Sequence, residues 1–111
     1  MSEDEKLLML AAKAEGREPP IDENGVFSAW VGSAENGHWW NPLEDDGDAL
    51  RLAASLKMDV LQDAKSISVK RYAGPDVDHQ YLAYECIDGD RLQTTRRAIV
   101  MAAAAMARTT A

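Results

Sequence analysis

The chain has 111 residues, of which 46% are hydrophobic and 28% charged, and its formal net charge is −7. This length and composition describe one globular domain, because the chain is too short for two domains and too apolar to be disordered. It contains a single cysteine, Cys86, so no internal disulfide can form and the class of small secreted disulfide-rich proteins is excluded.

The N-terminal segment does not resemble a targeting signal. Residues 1–6, Met-Ser-Glu-Asp-Glu-Lys, are acidic where a signal peptide would be basic. The longest apolar stretch, residues 98–107, is about half of the roughly 20 residues that a membrane span needs. We therefore expect a cytoplasmic protein with no membrane association.

The charges are unevenly distributed along the chain. Residues 1–64 carry fourteen acidic and five basic side chains, whereas residues 91–111 carry four arginines and no acid. Nonspecific DNA binding requires clustered lysine and arginine, so we do not expect nucleic acid as a partner. We interpret the four arginines as cations that face solvent or the acidic remainder of the chain.

The first predicted element is a helix over residues 3–15. Ser2 and Glu5 have the spacing of a capping box, in which each side chain accepts a hydrogen bond from the other residue's backbone N–H. Gly16 is a typical left-handed helix terminator, and the two prolines that follow at 19 and 20 prevent continuation.

A hairpin is predicted next. Residues 26–31 are rich in β-branched and aromatic side chains and predict a strand. A bend containing glycine and asparagine leads into residues 38–40, His-Trp-Trp, which predict the returning strand. Pro42 ends the extended structure, because proline has no N–H for a strand ladder.

Residues 47–57 form the second predicted helix. Its start can be capped by Asp45 or Asp46, and an aspartate in the first turn is favoured by the helix dipole. Apolar residues recur at helical spacing on one side: Ala49, Leu52, Ala53 and Leu56.

Two strands and a third helix complete the predicted elements. Residues 66–72 alternate between apolar and polar side chains, which predicts a strand that is buried on one face and lies near an edge. After a turn at residues 73–76, residues 79–87 are apolar on both faces, and such a strand needs cover on both sides. Asp90 can cap a helix that runs to about Arg108.

These elements predict an α+β domain with three helices and an antiparallel sheet of three or four strands. Because residues 26–31 and residues 79–87 are both apolar on both faces, we expect the helices to divide between the two sides of the sheet as a three-layer α/β/α sandwich. The expected core residues are Leu52, Leu56, Leu82, Tyr84, Ile99 and Met106.

No motif in the sequence points to an enzyme, and no catalytic residue, metal site or cofactor is expected. The acidic run at Asp45–Asp48 lacks the register of a calcium loop, so we interpret it as helix capping. His38 and His79 have no partner at zinc spacing, and Cys86 lies in a strand where a thiol is usually a buried hydrophobe. Phosphate loops, nucleophile elbows and zinc-protease motifs are missing from the sequence.

The candidate binding residues are two tryptophans and two arginines. Trp39 and Trp40 lie close to Trp30, the third tryptophan, and tryptophan is enriched at binding hot spots. We interpret one of Trp39 and Trp40 as a core anchor and leave the other open as a contact residue. Arg96 and Arg97 on the last helix could form a small basic stripe.

Two segments carry a resemblance to a known family. Residues 40–43, Trp-Asn-Pro-Leu, and 45–53, Asp-Asp-Gly-Asp-Ala-Leu-Arg-Leu-Ala, resemble the central signature of the phage ABA sandwich family. Residues 95–100, Thr-Arg-Arg-Ala-Ile-Val, are similar to the end of the same domain. The resemblance implies one α/β/α sandwich over residues 1–111, encoded by a bacteriophage or prophage, with no established activity and no catalytic residues.

We therefore expect a noncatalytic phage accessory protein that binds a host or phage protein, as an inhibitor of a host defence or regulatory component. The alternative is a small-ligand or nucleotide-binding domain that uses Arg96, Arg97 and the Asp45–Asp48 loop. In either case we expect a monomer or a small homo-oligomer.

Overall fold

The computed structural model describes residues 2–16, 30–31, 37–72 and 79–109. The elements in chain order are α1 (Glu3–Glu15), β1 (Trp30–Val31), β2 (His38–Trp39), α2 (Asp46–Ser55), β3 (Asp59–Gln62), β4 (Ser66–Tyr72), β5 (His79–Cys86) and α3 (Arg91–Thr109). β1 and β2 pair as an antiparallel ribbon, and β3, β4 and β5 form an antiparallel sheet in that order. Three helices and a three-stranded antiparallel sheet make the chain an α+β protein, as expected.

The helix ends follow the predicted capping chemistry. The Ser2 Oγ accepts a hydrogen bond from the Glu5 N–H at 3.1 Å, and Gly16 ends α1 with a left-handed φ of 86°. Asp45, rather than Asp46, is the N-cap of α2, and Asp90 accepts from the Leu92 N–H at the start of α3. α2 ends at Ser55, two residues before the predicted end.

The hairpin prediction is confirmed where the chain is described. Trp30 pairs with Trp39 and Val31 with His38, in a ribbon separate from the main sheet. The predicted strand residues 26–29 and the predicted turn at residues 73–76 lie outside the described residues.

The sequence analysis missed β3 and misplaced β4. β3 pairs with β4, and β4 pairs on its other side with β5, so β4 is the central strand and its predicted position near an edge is wrong. The alternating pattern of β4 does not identify an edge, because a central strand also alternates when one face of the sheet meets solvent. β3 has only four residues and begins and ends with polar side chains, which gives it almost no strand signal.

The core is built around α3. This helix packs against α1, α2, β4 and β5. Its alanines at 98, 102 and 103 are fully buried, and their small side chains let the neighbouring elements approach closely. The sheet contributes Ile67 and Val69, which are also fully buried.

Five of the six expected core residues lie in or against the core. Leu52 and Ile99 are buried, and Leu56, Leu82 and Met106 are partly buried against the core. Tyr84 is 65% exposed, so its assignment to the core is wrong.

A β-bulge explains the error at Tyr84. Val69 pairs with Ala83 but Lys70 pairs with Tyr81, so Leu82 is an extra residue in β5. Leu82 and Ala83 therefore both contact the core, and strict alternation fails. Tyr81 and Tyr84, three residues apart, are both exposed.

The helices pack on the sheet through α3. This helix covers the side of Ile67 and Val69, and α1 and α2 pack against α3. The other face carries the exposed side chains of Tyr81 and Tyr84, whose hydroxyl groups remain hydrated there. No helix among the described residues is long and apolar enough to cross a membrane.

Candidate functional site

The acidic loop before α2 is held by its own side chains. The Oδ1 of Asp45 accepts a hydrogen bond from the Asp48 N–H at 2.8 Å, and the Oδ1 of Asn41 accepts from the Leu43 N–H at 3.1 Å. The Oδ2 of Asp48 accepts from the Asn41 N–H at 3.0 Å. Asp45 therefore caps α2, as the sequence predicted, while the Asn41 amide and the Asp48 carboxylate close the turn before the helix.

Asp48 is the fully buried acid of this loop. Besides the Asn41 N–H, it binds Arg51, whose Nη2 donates to the Oδ1 of Asp48 at 2.8 Å. The Arg51 side chain is more than half exposed, so the pair joins a buried carboxylate to a guanidinium at the surface. Asp48 also lies in the first turn of α2, where its negative charge interacts favourably with the helix dipole.

Arg96 fastens α3 to the same loop. Its Nε donates to the Leu43 carbonyl oxygen at 2.9 Å, and its Nη1 donates to the Oδ1 of Asp46 at 2.6 Å. The Arg96 side chain is only 16% exposed. Its guanidinium is therefore engaged within the protein, and this candidate binding residue has a structural role.

Arg97 lies beside a different set of groups. It lines a cavity of about 280 Å³ together with the carboxylates of Asp4, Glu5 and Glu44. Its Nη1 is 3.4 Å from the Oδ1 of Asp4, a long contact between two partly exposed side chains. An anionic ligand in this cavity would meet three carboxylates and one guanidinium.

The two candidate tryptophans have different positions. Trp40 is 4% exposed and belongs to the core, so it is the anchor that the sequence predicted for one of the pair. Trp39 pairs with Trp30 in the ribbon, but its side chain lies outside the described part of the structure. Trp40 and Arg96 both hold the segment that leads from the ribbon to α2, one from within the core and one from α3.

The uncovered face of the sheet carries a surface that the sequence analysis did not identify. We call it the tyrosine face, formed by Leu61, Lys70, Tyr81 and Tyr84. Tyr81 is 66% exposed, and the Lys70 Nζ lies 5.9 Å from the centre of its ring. Leu61 and Tyr84 both pair with Ser68, so they flank a small side chain in one cross-strand row.

A second surface is an apolar groove beside β3. This α2–α3 groove has a volume of about 360 Å³. Val60 and Gln62 of β3 line it on one side, and two strongly exposed leucines, Leu50 of α2 and Leu92 of α3, line it on the others. Leu50 lies outside the apolar stripe of α2, which faces the core, so the sequence pattern could have indicated an exposed apolar side chain at this position.

The side chains that could support metal or thiol chemistry do not converge. In the described ranges, no group of three or more His, Cys, Asp or Glu side chains could hold a metal ion. Cys86 is exposed, which corrects its interpretation as a buried hydrophobe. Cys86 is the last residue of β5, at the end of the sheet.

Comparisons of this chain with protein-family models, with curated proteins and with solved structures found no match. The likeness of residues 40–53 and 95–100 to the phage ABA sandwich family therefore stays a prediction from those residues. In the structure, several of the same residues hold the loop before α2 and join it to α3.

Proposed function

We propose that this chain is a noncatalytic accessory protein that binds another protein through its tyrosine face. The observation that carries the proposal is the pair Tyr81 and Tyr84, each about two-thirds exposed on a sheet face that no described helix covers. Tyrosine is enriched among the residues that contribute most to protein interfaces, since it offers a large apolar ring and a hydroxyl group.

The arrangement of the face suits protein binding. Leu61 and Tyr84 provide apolar area on either side of Ser68, and Lys70 provides a charge beside Tyr81. The backbone of these residues is already paired in the sheet, so binding orders their side chains but no loop. The resemblance of residues 40–53 to a phage family favours a host or phage protein of the bacterial cytoplasm as the partner.

The alternative, a small-ligand or nucleotide-binding domain, has less support. Arg96 is bonded to Asp46 and to the Leu43 carbonyl, so its guanidinium would have to break both contacts to bind phosphate. Arg97 shares its cavity with three carboxylates, which disfavour an anion.

The proposal can be tested by photo-cross-linking in a bacterial host. A photoreactive phenylalanine analogue replaces Tyr84 in one version of the protein and Lys13, an exposed residue of α1, in the control. We expect an adduct with one host or phage protein from position 84 but not from position 13. The captured protein is then purified, and its affinity for the unmodified chain is measured.

Variants of the tyrosine face decide the outcome. Replacement of Tyr81 and Tyr84 by threonine keeps strand propensity but removes the rings. We expect the double variant to bind the captured protein at least tenfold more weakly, with an unchanged melting temperature. Equal affinity of the double variant and the unmodified chain would contradict the proposal.

A further inference from the structure

We draw no further inference here: the strongest candidate, the apolar α2–α3 groove beside β3, carries none because nothing in the described part of the chain shows what covers it.

Discussion

The buried carboxylate of Asp48 accepts a hydrogen bond from the backbone N–H of Asn41, seven residues earlier in the chain, at 3.0 Å. This bond joins the exit of the ribbon to the first turn of α2. Arg96 reaches the same loop from α3 through the Leu43 carbonyl and Asp46. The acidic segment thus joins three parts of the fold, and its unusual composition is explained by these contacts.

The first prediction concerns Asp48. Replacement by alanine leaves the Asn41 N–H and Arg51 without this partner, and we expect it to lower the free energy of unfolding by about 1–3 kcal/mol. Asp48→Asn keeps an oxygen that can accept from the Asn41 N–H, so its effect should be smaller. Urea denaturation followed by circular dichroism measures both values. Equal losses for the two variants would show that the charge, rather than the bond to Asn41, is what stabilises the loop.

Arg96 should not tolerate lysine. A lysine can approach Asp46, but it lacks the Nε–H that bonds the Leu43 carbonyl, so we expect Arg96→Lys to cost about 1 kcal/mol. Arg97→Lys is the matched control, because the Arg97 contact with Asp4 is long and partly exposed. We expect this control to change stability by less than about 0.5 kcal/mol. A larger loss for Arg97 than for Arg96 in thermal denaturation would reverse the roles assigned to them.

Divalent cations should leave the protein's stability unchanged. The oxygens of Asp45 and Asp48 already accept backbone N–H groups, and Asp46 binds Arg96. Millimolar calcium or magnesium should therefore not change the melting temperature beyond the effect of ionic strength. A site with a micromolar dissociation constant would stabilise the fold by about 4 kcal/mol at a thousandfold excess. A shift of that size, abolished by Asp46→Asn, would mean that the loop chelates a metal.

The predictable parts of this structure are those specified by local sequence. Ser2, Gly16, Asp45 and Asp90 each stand at a helix end, and capping depends on residues within one turn of the cap. β4 was also found from its own alternation. The sequence predicted that one of Trp39 and Trp40 anchors the core but not that it is Trp40, because neighbouring strand positions alternate and the sequence does not show which face is buried.

The errors arise where the structure depends on contacts between distant residues. The bulge in β5 lies between Tyr81 and Ala83, and it breaks the alternation of side chains between the two faces of the sheet. No residue type at this point of the sequence predicts a bulge. The sequence analysis consequently assigned Tyr84 to the core. β3 becomes a strand because β4 pairs with it, and its four residues carry little propensity of their own.

Leu52 and Tyr84 form a direct test of the corrected core. Leu52 is fully buried, and its replacement by alanine should cost roughly 2–5 kcal/mol. Tyr84→Ala removes an exposed side chain and should cost less than about 1 kcal/mol, mostly through strand propensity. Denaturant titration of the two variants measures the difference. Comparable losses in the free energy of unfolding would mean that the Tyr84 side chain is part of the core.

The end of α2 supplies the last prediction. Lys57 has a φ of 56°, in the left-handed region that residues with a Cβ rarely adopt. The Met58 N–H donates to the Ala53 carbonyl at 2.9 Å and the Lys57 N–H to the Ala54 carbonyl at 3.1 Å. These two bonds form a Schellman motif, in which the left-handed position is usually glycine.

Lys57→Gly should therefore stabilise the protein. Glycine adopts this φ without steric cost, and we expect a gain of about 0.5–1 kcal/mol in the free energy of unfolding, after its larger entropy in the unfolded chain is included. Lys57→Ala is the control, because it removes the exposed side chain but keeps the Cβ, and it should give no gain. The same loop directs the chain from α2 into β3, so Lys57→Gly should also slow hydrogen exchange at Met58. A loss of stability in Lys57→Gly would show that the lysine side chain stabilises this turn by more than its backbone conformation costs.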